Sequence, residues 1–180
     1  LAADMDTETL ELIDPCPELE ADFRAMGEEY LAAGNPHERS RYAEALQDFP
    51  AYLRKLQDQA AGTNVPEGYV PGNHYWLVRE GETIVAVSSL RHRLTDSLKI
   101  EGGHIGYGVR PSQRLRGYGK LICAMTLDKA RQLGLKRVLI TCDTDNTASA
   151  KIIRASGGVL DGESISPRSG KMVSRYWIEL

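Results

Sequence analysis

The 180-residue chain is 42% apolar and 26% charged, with a formal net charge of −3, which predicts one soluble globular domain over residues 1–180. This slightly acidic balance excludes the basic footprint of general nucleic-acid binding, and no apolar run reaches the roughly 20 residues that cross a bilayer. The three cysteines are odd in number and share no metal-ligand spacing, which favours reduced thiols in a cytoplasmic protein without a metal.

The first part of the chain predicts one strand and two helices. Residues 1–8 are expected to be disordered or foreign to the native domain. A short apolar-rich run at residues 9–13 predicts a strand that prolines end. Apolar side chains at helical spacing over residues 19–30 predict the first helix, and a second helical stretch at residues 42–56 contains Pro50, which predicts a kink or break. Both helices fit core packing, or a helical pair that walls an open site.

The chain from residue 74 onward alternates strand and helix patterns. A strand hairpin is predicted at residues 75–78 and 84–90, followed by a strand from the polar crossing at 95–97 to Val109. Next come a helix ending at Gly134, a strand at 138–142 and a helix from Asp145 or Asn146 to Ser156. The last predicted elements are strands at 159–160 and 172–180. No repeat or linker divides these elements. The order predicts an α/β (α+β) domain.

The most informative stretch is residues 109–120, which joins a strand to a helix. The first-turn amides of such a helix are free donors that point outward. Gly117 and Gly119 remove the Cβ atoms that would keep an anion from the backbone. The helix N-terminus adds about half a positive charge, and Arg114, Arg116 and Lys120 add full charges. Together these features predict a phosphate-binding loop.

The spacing of this loop distinguishes between known phosphate-binding motifs. A P-loop requires glycine and Ser or Thr where Arg114 and Leu121 stand, and a dinucleotide fingerprint requires a third glycine where Ile122 stands. Residues 114–119, RLRGYG, instead match Arg or Gln, two residues, Gly, one residue, then Gly or Ala. That is the motif of the GNAT superfamily of N-acetyltransferases, which the chain resembles strongly from about residue 74 to 180 and weakly before residue 70.

The resemblance implies a fold and a co-substrate. It implies a central mixed, largely antiparallel sheet of about seven strands, flanked by helices and splayed between the fourth and fifth strands to admit the pantetheine arm of acetyl-CoA. Residues 104–109 resemble the fourth strand, where Gly106 and Gly108 need a bulge or a close backbone approach to explain them. The cofactor-binding residues it implies are Tyr107, Val109, Arg114, Leu115, Arg116, Gly117, Tyr118, Gly119, Lys120, Asn146 and Ser149, with Val109 donating its amide to the thioester carbonyl.

Acetyl transfer to a primary amine requires a base, because an alkylamine with a pKa near 10.4 is mostly ammonium at neutral pH. The predicted fourth strand offers Glu101 and His104 as candidate catalytic residues. In a strand, the side chain of Glu101 would lie on the same face as residue 103, and His104 would lie on the other face. The alternative is that neither residue is catalytic, Glu101 being an exposed glutamate and His104 a histidine that is hydrogen-bonded in the sheet. His92, between Arg91 and Arg93, is a weaker candidate, and that basic cluster alternatively binds an acidic part of the substrate.

The usual proton donor of the superfamily is missing. Many members place a tyrosine seven residues after the helix-opening Asn, and Ile153 stands there. Ser149, Tyr107, Tyr176 or water remain as substitutes, and Cys142 fits a buried residue better than a nucleophile, which favours direct transfer. The leading hypothesis is an acetyl-CoA-dependent N-acetyltransferase acting on a small-molecule or peptide amine. The alternative is a non-catalytic acyl-CoA-binding module, and a homodimer stays open.

Overall fold

The computed structural model of the protein describes residues 8–34 and 36–180. Residues 1–7, which carry most of the expectation for the N-terminal segment, lie outside this description. The helices and strands, in chain order, are β1 (Leu10–Ile13), α1 (Glu20–Ala33), α2 (Pro36–Gln47), α3 (Phe49–Ala61), β2 (Gly72–Arg79), β3 (Thr83–Arg91), α4 (Asp96–Ile100), β4 (Ile105–Val109), α5 (Tyr118–Gln132), β5 (Arg137–Asp143), α6 (Thr147–Ala155), β6 (Val159–Ile165) and β7 (Met172–Glu179).

The strands form one seven-stranded sheet in the order β1-β2-β3-β4-β5-β7-β6. Only β4 and β5 pair in parallel among the described strands, and α5 supplies the crossover between them. A mixed, largely antiparallel sheet flanked by helices is therefore confirmed. Among the described residues, no helix has both the length and the apolarity to cross a membrane.

Helices cover both faces of the sheet. Side chains alternate between faces along β2, so that Trp76 packs with α1–α3 while Leu77 packs with α5. The α1–α3 layer is rich in aromatic rings, and Phe23 stacks on Trp76 with their ring centroids 5.1 Å apart. On the other face, α5 and α6 enclose the cluster that contains Ile140 and Ile153. We refer to these as the α1–α3 face and the α5–α6 face.

The sheet opens between its two parallel strands. β5 pairs with β7 along its whole length, from Arg137↔Glu179 to Asp143↔Val173. In contrast, the described residues of β4 and β5 have a single register pair, Ile105↔Ile140. Beyond Ile105 the two strands separate, and this confirms the predicted splay. The β4–β5 gap, as we call it, adjoins Tyr107 and Val109.

Two helices differ from the sequence prediction. The second helical stretch is two helices, because Asp48 accepts a hydrogen bond from the Ala51 amide (2.9 Å) and Pro50 lies in the first turn of α3, where proline is tolerated. The predicted strand after residue 97 is wrong at its start. Thr95 caps the short helix α4, and β4 begins only at Ile105. Glu101 therefore lies in a turn, and the face predicted for its side chain in a strand does not apply.

Candidate functional site

The loop between β4 and α5 presents backbone donors to solvent. Gly117 is the N-cap of α5 with φ of 86°, and Leu115 also has a left-handed φ of 63° and is fully exposed. The Leu121 amide donates to the Gly117 carbonyl at 3.2 Å, which is the first bond of the helix. The amides of residues 117–120 precede that bond and have no carbonyl one turn earlier to accept from them. A Cβ built on Gly117 would meet no atom within 4 Å, so the approach to these amides is open.

Side chains of the loop divide between solvent and core. Arg114, Arg116 and Lys120 are exposed and surround the free amides with positive charge. Tyr118 is buried, and its hydroxyl donates to Glu8 (2.9 Å), so that of this residue only the backbone amide faces the loop. Gly119 has a packing role as well, because a Cβ there would lie 3.0 Å from Ile152 Cδ1.

A buried ionic cluster fixes the base of the loop. Arg110 is 7% exposed and donates to Asp22 Oδ1 (2.9 Å) and Glu29 Oε1 (2.7 Å) on α1. The other oxygen of Glu29 accepts the Ser112 amide at 3.0 Å. Burial acts to raise the pKa of Glu29, but the hydrogen bonds from Ser112 and Arg110 outweigh it and lower the pKa. Sequence reasoning missed this cluster, since Glu29 and Asp22 lie 81 and 88 residues before Arg110 in the chain.

Backbone groups of β4 line the β4–β5 gap. The Arg110 amide donates to the Val85 carbonyl (2.9 Å), so the even-numbered residues of β4 direct their backbone groups toward β3. This direction alternates along a strand, and the amides and carbonyls of Tyr107 and Val109 point the other way. Because pairing with β5 ends at Ile105, these groups face the gap. The Val109 carbonyl lies 3.4 Å from the Nε of Arg114.

Two hydroxyl groups meet beside the gap on the α5–α6 face. Asn146 caps α6 by accepting the Ser149 amide (3.1 Å), which holds Ser149 in the first turn. The Ser149 hydroxyl lies 3.0 Å from the Tyr107 hydroxyl. Burial raises the pKa of Tyr107 while the contact with Ser149 acts to lower it, and the phenol keeps its proton at neutral pH. Burial also raises the pKa of Cys142, which therefore remains a thiol.

The two predicted base candidates lie together at the start of β4. His104 is 7% exposed, and its Nδ1 accepts the Leu139 amide at 2.9 Å. Burial and the nearby Arg91 and Arg137 lower its pKa to about 4. Glu101 accepts hydrogen bonds from the Ser166 hydroxyl and, at 2.9 Å, from the Arg168 guanidinium. The strand rises about 3.3 Å per residue, which puts His104 about 10 Å from Tyr107 along β4.

A further carboxyl group, that of Glu38, lies near Tyr30, whose hydroxyl approaches the α1–α3 face of β4. A Cβ on Gly108 would lie 3.2 Å from the Tyr30 hydroxyl, and one on Gly106 would lie 3.3 Å from Ser89 Oγ, so side-chain hydroxyls, rather than a bulge or a neighbouring backbone, accompany these glycines. Burial raises the pKa of Glu38, although Arg114 acts to lower it, and Glu38 also influences the pKa of Tyr30. Sequence reasoning missed Glu38, because nothing in an amphipathic helix separates a partly buried glutamate near a site from a surface one.

Ile153 is fully buried in the core cluster of the α5–α6 face. Its Cγ2 would lie 2.6 Å from a Cβ on Gly158, so the helix exit packs directly on this side chain. The position that carries a phenol in many GNAT proteins is thus a packing position in this chain. The described residues contain no group of three His, Cys, Asp or Glu side chains that could hold a metal ion.

Comparisons with known proteins point to one family. A family model described as an acetyltransferase (GNAT) domain matches residues 16–159. RimL, a ribosomal-protein alpha-N-acetyltransferase solved with coenzyme A, is 19% identical with a TM-score of 0.70, over 96% of this chain and 94% of that chain. Mycobacterium smegmatis RimJ with a CoA-disulfide is 18% identical with a TM-score of 0.69, over 94% and 81%.

A spermidine N-acetyltransferase, a SpeG chimera from Vibrio cholerae and hSSAT, is 13% identical with a TM-score of 0.66, over 94% of this chain and 95% of that chain. Curated protein sequences give no match. At these identities the solved structures establish a shared fold, and the family model carries the assignment to a family.

Proposed function

The chain belongs to the GNAT acetyltransferase family, and we propose that it transfers the acetyl group of acetyl-CoA directly to a primary amine. The observation that carries this proposal is the β4–β5 gap, which opens beside the free amides at the start of α5. Some proteins of the same fold have been solved with coenzyme A or acetyl-CoA. Proteins of this fold also include a spermidine N-acetyltransferase and a protein alpha-N-acetyltransferase. A gap between parallel strands and a phosphate-binding helix start are the two features that such a co-substrate requires.

The loop before α5 would bind the pyrophosphate. Free amides at residues 117–120 and a helix N-terminus favour an anion. The exposed cations Arg114, Arg116 and Lys120 would add charge-assisted hydrogen bonds to the phosphate oxygens. Leu115 and Tyr118 contribute backbone rather than charge. The fully exposed, left-handed Leu115 shapes the loop, and the buried Tyr118 anchors it.

The gap would hold the reacting end. Acetyl-CoA supplies an activated thioester carbonyl and a thiolate leaving group. The Val109 amide points into the gap, where it donates to the carbonyl oxygen as negative charge develops there. A fixed donor of this kind contributes about 10²–10³ in kcat in enzymes where it has been removed. Asn146 contributes indirectly, because it holds Ser149 at the edge of the gap.

The Tyr107–Ser149 pair would protonate the departing thiolate. The Tyr107 phenol is protonated at neutral pH because burial raises its pKa, and its partner hydroxyl lies 3.0 Å away. One hydroxyl would give its proton to the sulfur and regain a proton through the other from solvent at the edge of the gap, so that the pair ends unchanged and no buried phenolate persists. Cys142 remains a protonated thiol, which disfavours a covalent acyl-enzyme and supports direct transfer.

Three groups remain candidates for the base. His104 accepts a proton poorly with a pKa of about 4, and its Nδ1 is already occupied by the Leu139 amide. Glu101 accepts hydrogen bonds from the Ser166 hydroxyl and the Arg168 guanidinium, which hold it at the turn before β4. To these we add Glu38, whose pKa burial raises beside Tyr30 and Arg114. Because the nearby Tyr30 hydroxyl approaches Gly108 of β4, we favour Glu38 over the two groups at the turn before β4.

Amine-dependent release of free thiol from acetyl-CoA tests this function. The acceptor panel includes spermidine, peptides with a free N-terminus and small amino acids, and acetylated product is identified by mass. We expect release to require an amine and to match product mole for mole. The packing role of Ile153 favours the alternative of a non-catalytic acyl-CoA-binding module, which tight coenzyme A binding without amine-dependent release across the panel would establish.

A further inference from the structure

Two guanidinium groups converge on the turn that precedes β4. Arg91 Nη1 donates to the carbonyls of Gly102 (3.2 Å) and Gly103 (3.1 Å). Arg168, from the β6–β7 turn, donates to Glu101 at 2.9 Å. Gly103 allows this geometry, since it has φ of 60° and a Cβ there would lie 2.3 Å from the Leu139 carbonyl oxygen. The turn thus brings side chains from distant parts of the chain to one place.

Arg91 forms no ion pair among the residues that the structure describes. Its guanidinium donates to neutral carbonyl oxygens, and the ion pair at this turn belongs to Arg168. Burial, together with the positive charges of Arg41 and Arg168, lowers the pKa of Arg91. A partly buried guanidinium among other cations is costly unless an anion joins it. Arg91 is only partly buried, so a ligand can reach it.

This positive charge lies on the side from which an acceptor would reach the gap. Along β3, Ser89 and Arg91 share the α1–α3 face with Val87, and Ser89 Oγ adjoins Gly106 of β4. Arg91 is two residues beyond Ser89, a distance of about 7 Å along an antiparallel strand. A molecule with its amine above β4 would therefore extend toward Arg91.

We propose that Arg91, together with Arg168, binds an anionic group, a carboxylate or a phosphate, that the amine acceptor carries. This inference rests on the proposed acetyltransferase function and specifies its substrate class. A guanidinium presents a planar fork that matches either anion, and a ligand anion would form an ion pair with Arg91. Arg41 of α2 adds positive charge to the same region.

Matched acceptors test the anionic group by kinetics. γ-Aminobutyrate is compared with n-butylamine, and phosphoethanolamine with ethanolamine, in the wild-type protein and in Arg91→Gln. A charge-assisted contact predicts at least about a tenfold advantage in kcat/KM for the anionic member of one pair, which Arg91→Gln should abolish. The pair that shows the advantage distinguishes a carboxylate from a phosphate. Arg93→Gln, an exposed arginine past the end of β3, is the control that should retain the advantage.

Chemical protection tests the same contact without turnover. Phenylglyoxal modifies arginine, and mass mapping of the coenzyme A-loaded protein follows Arg91 and Arg93 separately. We expect γ-aminobutyrate or phosphoethanolamine to slow modification of Arg91 several-fold, while the uncharged amines do not and Arg93 is unaffected. Equal modification with and without the anions would overturn the inference. If Arg91→Gln fails to fold, Arg168→Gln replaces it and should weaken the protection of Arg91. Coenzyme A binding without any acetyl transfer would reject the proposed function but leave this readout decisive.

Discussion

The two ends of β4 carry different kinds of site. At its C-terminal end, the loop of residues 110–120 offers mostly backbone amides, with a helix dipole behind them and exposed cations around them. At its N-terminal end, the turn of residues 101–103 contacts side chains from β3, the β6–β7 turn and, through Thr141, β5. The first end suits a ligand portion that never changes, and the second suits a portion that differs between relatives.

This difference explains what each end tolerates. A backbone donor survives most substitutions, provided that the chain path is kept, so the end that we propose for the co-substrate depends on glycine conformation and on what anchors the loop. A side-chain site changes with every substitution, so the end that we propose for the acceptor would set specificity. Damage at the two ends should accordingly separate in function: loss of coenzyme A affinity at one, and loss of acceptor turnover at the other.

The largest effect is expected from the anchor of the co-substrate end. Arg110→Met leaves Asp22 and Glu29 partly buried without their cation, a change that typically costs about 3–5 kcal/mol. Urea unfolding measures it. The triple variant Arg110→Met, Asp22→Asn, Glu29→Gln removes the orphaned charges and should recover part of the loss. Unchanged stability in Arg110→Met would mean that the cluster does not anchor the loop.

Acid should weaken the acceptor end through His104. Its pKa is about 4 in the folded protein, below the ordinary 6.5, so the neutral ring is favoured by folding. This contribution is complete above pH 6.5 and is lost as the pH falls toward about 4, in total roughly 3 kcal/mol. The free energy of unfolding is measured from pH 8 to pH 4 in wild type and in His104→Asn. The variant should show a shallower acid slope, although His74 of β2, whose pKa burial lowers to about 3, and Glu29 keep part of the slope in both. Identical slopes would argue against a buried neutral ring at His104.

Glu38→Gln should separate catalysis from binding. If Glu38 accepts the proton of the amine, kcat should fall by about 100-fold or more while coenzyme A affinity holds. Glu101→Gln is the matched comparison, because that carboxylate is held by Arg168 and Ser166. The pH–rate profile is measured for both. A larger loss in Glu101→Gln, together with a shift of its acidic limb, would return the role of base to Glu101.

A smaller effect is expected from one exposed cation of the loop. Arg116→Glu reverses a charge beside the free amides and should weaken coenzyme A binding by about tenfold, less at high salt. Lys136→Glu makes the same charge change beyond the far end of α5 and serves as control. Calorimetry compares the two. This test is cleaner than replacing Gly117, whose φ of 86° strains any side chain whatever the ligand does.

The sequence predicts the co-substrate end far better than the acceptor end. The loop is one local motif, and the alternation of strands and helices around it follows from period and turn residues, so both could be predicted. The helix α4 was missed because Leu98 and Ile100 fit a strand as well as a helix in so short a run. Arg110 and Arg91 were not placed, since their partners come from distant segments and leave no local pattern.

Hydrogen exchange with and without coenzyme A tests the division of β4 most directly. With coenzyme A bound, we predict slower exchange at the amides of residues 117–120, which form the phosphate-binding loop. We predict the same for the amides of Tyr107 and Val109, which face the β4–β5 gap. Amides of the turn at residues 101–103 should exchange at unchanged rates until an amine acceptor is added. Protection confined to the α1–α3 helices, or none at residues 117–120, would contradict the assignment of the co-substrate to this end of β4.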